Sequence, residues 1–112
     1  MGERRNGDRV KARLKIEVFR VGDVHPIEGL TAEVSPAGLS VEFPRAIPLG
    51  RDVVLKIYPF ASEIPTQIRA SVRWIIRRDS HGRCRVGCEF SPVFSNALHK
   101  VRALLGDYAA AV

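Results

Sequence analysis

The chain has 112 residues, 46% of them hydrophobic and 27% charged, with a net charge of +6. That length holds one domain, and the mix is that of a globular chain rather than a disordered one. No apolar run nears the roughly 18–20 residues that cross a bilayer, and the polar start, residues 1–8, lacks the apolar segment of a secretory signal. The expectation is a cytoplasmic protein without membrane insertion.

Period-two alternation dominates the chain and predicts strands. Val10, Ala12, Leu14, Ile16 and Val18 are apolar, and Lys11, Arg13, Lys15 and Glu17 between them are charged, which reads as one strand with a buried and a wet face. Gly22-Asp23 breaks the run and His25-Pro26 keeps it open. Leu30, Ala32 and Val34 then form a second strand. Ser35-Pro36-Ala37-Gly38 predicts a tight turn, with Pro at the second position and Gly at the fourth. Leu39, Val41 and Phe43 give a third strand, and Val53, Leu55 and Ile57 a fourth.

Ile68, Ala70, Val72, Trp74 and Ile76 form the longest alternating run, with Asp79-Ser80-His81-Gly82 as a hairpin loop. Cys84, Val86, Cys88 and Phe90 return as its partner. After Pro92 the period changes. Leu98, Val101, Leu104, Leu105 and Tyr108 fit one helical face, with Ser95 as N-cap and Gly106 near the stop. The fold class expected is all-β, a small six-stranded antiparallel β-barrel with a C-terminal α-helix. Its parts are an N-terminal arm at 1–9, the barrel at 10–91 and the helix at 92–112.

Charge points to an anionic partner. Fourteen of the 18 cations are Arg, whose planar fork grips phosphates and guanine edges in pairs. Residues 1–20 and residues 67–90 each carry an excess of +4, while the rest of the chain is net acidic. A solvated basic surface is the plainer reading of the same numbers. Cys84 and Cys88 share one strand face about 13 Å apart, too far for a disulfide, and lack the spacing of a zinc site. Buried reduced thiols are expected.

Nothing in the sequence reads as an enzyme. His25, His81 and His99 are scattered, and there is no phosphate loop, dinucleotide fingerprint or helical metal motif. No cofactor and no metal are expected. Two segments carry more. Arg5-Asn6-Gly7-Asp8-Arg9, preceded by Arg4, sets guanidinium groups on a polar arm, either spread along it or converged by a turn at Gly7. Glu33-Val34-Ser35-Pro36-Ala37-Gly38 sets an acid, a hydroxyl and a glycine at a strand end. A carboxylate can accept from the N1–H and N2–H₂ edge of guanine, and glycine admits a ligand close to backbone. A basic tail and an ordinary turn would account for each segment alone.

In this order and separation the two segments resemble the PilZ domain family, whose signatures are R-x-x-x-R and [D/N]-x-S-x-x-G. Arg5 and Arg9 match the first, Ser35 and Gly38 the second, and Glu33 stands where the family has Asp or Asn. Val72-Arg73-Trp74 and Arg85-Val86-Gly87-Cys88-Glu89-Phe90 resemble the family's last hairpin. The resemblance implies a six-stranded barrel that binds the bacterial second messenger cyclic di-GMP through Arg4, Arg5, Arg9, Glu33, Ser35 and Gly38. It further implies an arm that orders on the ligand and signals through an unidentified effector protein, the domain being a monomer or weak dimer. The longer Glu33 keeps open a PilZ-like interaction module that does not bind nucleotide. The Arg-rich composition keeps open, behind it, a small basic RNA- or DNA-binding barrel.

Overall fold

The computed structural model describes residues 9–45, 50–59, 63–77 and 82–91. Seven strands fill them: β1 (Val10–Lys11), β2 (Lys15–Arg20), β3 (Ile27–Val34), β4 (Gly38–Phe43), β5 (Asp52–Ile57), β6 (Thr66–Arg77) and β7 (Cys84–Phe90). All pairings are antiparallel. The order β3-β2-β5-β6-β7-β4 closes on itself because β3 also pairs with β4. The result is the expected closed six-stranded barrel, which leaves no unpaired edge around the ring. The predicted arm residues 1–8 and the predicted helix at 92–112 lie outside the described residues.

The first predicted strand is divided in two. Between β1 and β2 the chain still follows β3, through Ala12 N–H to Ala32 C=O at 3.1 Å and Thr31 N–H to Leu14 C=O at 2.9 Å. The fully buried Thr31 hydroxyl fills the gap, accepting from Leu14 N–H at 2.8 Å and donating to the Ala12 carbonyl. A buried hydroxyl with both functions met costs little, which explains a polar residue at 0% exposure.

Inward side chains of the ring make one core, with Ile16, Val18, Val34, Val41, Phe43, Leu55, Ile57 and Val86 at 2% exposure or less. Cys84 and Cys88 belong to it as free buried thiols, as expected.

Two bulges break the alternation. On β3 the register against β4 shifts between Thr31 and Glu33, so Thr31 and Ala32 are both buried, and Leu30, expected inside, is 39% exposed. On β6 the register against β7 shifts between Val72 and Trp74. Arg73 is the extra residue, and beyond it Trp74 and Ile76, also expected inside, face outward at 43% and 53% exposure. An inserted residue turns every later side chain to the other face.

Candidate functional site

Both bulges open onto the same cleft. It encloses about 240 Å³ between β1, the β3–β4 turn and the β6–β7 pair. Arg9, Glu33, Ser35 and Gly38 line it together with Arg73, Trp74, Gly87 and Glu89 of β6 and β7. Four sequence-predicted residues are thereby brought together. Arg4 and Arg5 lie outside the described residues.

Arg9 directly precedes β1, which is registered on β3 through Val10 opposite Val34 and Lys11 opposite Glu33. That register brings the Arg9 guanidinium to 3.9 Å from the Glu33 carboxylate. Glu33 is set by the β3 bulge, and its backbone N–H donates to Ser40 Oγ at 3.3 Å. The carboxylate, read from sequence as a guanine acceptor, therefore also neutralises the second arginine of the arm motif.

Ser35 builds the turn. Its hydroxyl accepts from Ala37 N–H at 3.2 Å and Gly38 N–H at 3.3 Å, and donates to the Gly38 carbonyl at 3.1 Å. Ser35 N–H reaches the same carbonyl at 2.8 Å. The tight turn predicted at 35–38 is thus present, held by the side chain that the sequence reading offered to a ligand. The turn's tip rests on β7, where Phe90 N–H donates to the Ala37 carbonyl at 2.9 Å.

The far wall follows from the β6 bulge and from Gly87. With no side chain at Gly87, the Trp74 indole lies directly on β7: a Cβ there would stand 2.1 Å from Trp74 Cε2. Glycine inside a strand marks such a close approach. Arg73 meets Glu89 across the pair, Nε to Oε1 at 3.2 Å. Sequence reasoning did not place Arg73, Trp74 or Glu89 in the site. The available signal was Gly87, a strand-interior glycine opposite a large aromatic residue.

The arrangement offers two guanidinium groups, each beside a carboxylate, and one open indole face. Cation forks suit phosphate or guanine, and indole suits a stacked base. Among the described residues the other outward aromatics are less available. Lys56 Nζ sits 5.0 Å from the Phe19 ring centre, and Lys15 Nζ 4.9 Å from that of Tyr58. Among the described residues no group of three or more His, Cys, Asp or Glu is placed to hold a metal ion, and no helix is long and apolar enough to cross a membrane.

Curated proteins give no significant match to the sequence. Among solved structures, the PilZ domain of YcgR from Escherichia coli with c-di-GMP superposes with a TM-score of 0.67 at 13% identity, over 92% of this chain and 90% of that one. The Bacillus subtilis inhibitor of motility MotI/DgrA gives 0.66 at 19% identity, over 91% of this chain, which spans about half (48%) of that protein. PlzA of Borreliella burgdorferi in complex with c-di-GMP gives 0.62 at 18% identity, over 94% of this chain and 52% of that one. These likenesses concern the fold. The sequence profile of the PilZ domain matches residues 3–107, nearly the whole length. With the closed barrel, and with Arg9 and the Ser35–Gly38 turn at one cleft, the chain belongs to the PilZ domain family.

Proposed function

We propose that the chain is a cytoplasmic receptor that binds cyclic di-GMP in this cleft without turning it over. The observation that carries the reading is the convergence of Arg9, Glu33 and the Ser35–Gly38 turn with the Trp74 indole around one opening. YcgR and PlzA, which share the fold, have been solved with c-di-GMP, and this supports the same ligand here.

In the proposed mode one guanine stacks on Trp74 and another base edge meets an arginine fork. The Glu33 carboxylate accepts from guanine N1–H and N2–H₂. Gly38 leaves the backbone open to the ligand. Binding clefts for small molecules usually enclose about 300–1,000 Å³. At about 240 Å³ the cleft holds part of a dinucleotide, leaving Arg4 and Arg5 of the arm to cover the rest. Ordering of the arm then supplies the surface that an effector protein reads.

Calorimetry with cyclic di-GMP, GTP and a short single-stranded RNA tests this. Cyclic di-GMP is expected to bind best, and to be recovered intact by chromatography. Arg5→Ala and Arg9→Ala should each weaken it by about 1.5–3 kcal/mol, the usual worth of a hydrogen bond to a charged group. Glu33→Asp should bind equally or up to roughly tenfold tighter, and Glu33→Ala more weakly. Equal or tighter retention of the RNA at physiological salt would favour the nucleic-acid reading. No binding of any of the three would favour the interaction module.

A further inference from the structure

We propose that Arg73 is a phosphate-binding residue of this cleft, and that Glu89 holds its guanidinium poised at the rim and must release it when the ligand arrives. The inference rests on the cyclic di-GMP reading and adds two residues that the arm and turn motifs do not contain.

The bulge is the first argument. An unbroken β6 would alternate, sending Arg73 and Trp74 to opposite faces of the sheet. With Val72 opposite Cys88 and Trp74 opposite Gly87, Arg73 has no partner on β7, and both side chains reach the cleft. Bulges concentrate where a side chain must be re-aimed at a site. A cation beside a flat aromatic surface matches a nucleotide, whose base and phosphate are adjacent.

Position is the second argument. Arg9 enters on the β1–β3 side, and Arg73 stands on β6, three strand spacings from β3 across β4 and β7. At about 4.8 Å per strand that is about 14 Å measured along the curved sheet. Arg9 on the β1–β3 side leaves the β6 wall of the cleft to another cation, and among the described residues Arg73 is the cation lining it. A ligand with two phosphates presents charge to both.

Glu89 supplies the third. It meets Arg73 through Nε at 3.2 Å, leaving the N–H groups of the Nη pair to take a phosphate as a fork. Both side chains are about half exposed, at 52% and 54%. Such a pair is weak enough to yield to a phosphate yet fixes the direction of a long flexible side chain beforehand. Glu89 therefore acts through Arg73, as a positioning and competing residue.

Calorimetry with cyclic di-GMP on four proteins tests it: wild type, Arg73→Ala, Glu89→Gln and the double variant, each checked by thermal unfolding. Arg73→Ala should bind about ten- to a hundredfold more weakly. Glu89→Gln should bind up to about fivefold more tightly, because the competing charge is gone. The double variant should match Arg73→Ala within twofold. Arg73→Gln, which keeps the aliphatic stem, replaces the alanine variant if that one unfolds. Wild-type affinity in Arg73→Ala overturns the phosphate role, and a gain from Glu89→Gln that persists without Arg73 overturns the pairing. Failure of the wild type itself to bind overturns the receptor reading and this inference with it.

Discussion

A methyl group placed on Gly38 would stand 2.1 Å from the carbonyl oxygen of Cys88. The signature glycine of the β3–β4 turn is thus required by the wall of the barrel, where Gly38 pairs with Glu89 at the start of β4. Access for a ligand is a second use of the same bare position.

Gly38→Ala is therefore expected to fail as a protein before it fails as a receptor. The obstacle is backbone, so relief requires separating β4 from β7. A loss of about 2–3 kcal/mol is expected, the upper part of the usual range for an overpacked site. Chemical denaturation checks it, and a stability within about 0.5 kcal/mol of wild type would count against the close approach.

Ser35→Ala and Arg9→Ala should separate turn from arm. Removing the Ser35 hydroxyl leaves two turn N–H groups without their acceptor, at about 1 kcal/mol of stability. Arg9 loses only an exposed contact at 3.9 Å, worth less than about 0.5 kcal/mol. Unfolding curves for the two variants should differ accordingly. Equal midpoints would mean that the Ser35 hydroxyl is not what holds the turn.

Gly87→Ala should move Trp74. The ring is the outer part of a side chain and can swing away, so Gly87→Ala should lose less stability than Gly38→Ala. Trp74 is the single tryptophan, so its emission reports the change directly. Greater exposure should shift the emission to the red, and cyclic di-GMP affinity should fall with loss of the stacking surface, by about 1–3 kcal/mol. An unchanged spectrum would show that the indole does not rest on β7.

Alkaline pH should weaken the barrel through Cys88. Burial pushes this thiol from its ordinary value of 9.0 up to about 12. Below pH 9 it is neutral folded or unfolded, and its full contribution is present. Between 9 and 12 the unfolded chain ionises while the folded one does not, so stability falls as pH rises through that window. Tyr58 adds in the same direction, its phenol raised by the hydrogen bond it donates to Glu17. Thermal unfolding from pH 7 to 11 should fall less steeply for Cys88→Ala than for wild type. Parallel profiles would mean that the thiol ionises as readily in the barrel as outside it.

Local alternation made most of the ring legible, because strands buried on one face write their burial into every second residue. It misplaced Leu30, Trp74 and Ile76 for a common reason. A bulge is decided by the partner strand: on β6 by the bare Gly87 under Trp74, and on β3 by the shifted register of Thr31 and Glu33 against β4. Neither signal is local to the strand it bends. The same limit governed the cleft. Arg9, Glu33, Ser35 and Gly38 stand in two short motifs, whereas Arg73 and Glu89 join them only once the register against β7 is known.

The seam between β1 and β2 has a mechanical consequence. β1 holds to β3 through two residue pairs alone, opposite Glu33 and Val34. Behind it the Thr31 hydroxyl fastens Leu14 and Ala12, and the closed ring begins at Lys15. None of the six ring strands relies on β1 for closure. A pull on the chain ahead of Arg9 reaches the Val10–Val34 pair first, then Lys11 opposite Glu33 at the wall of the cleft, and behind them the Thr31 hydroxyl. The N-terminal segment is joined to the barrel by a two-tooth zip that can open without breaching the vessel.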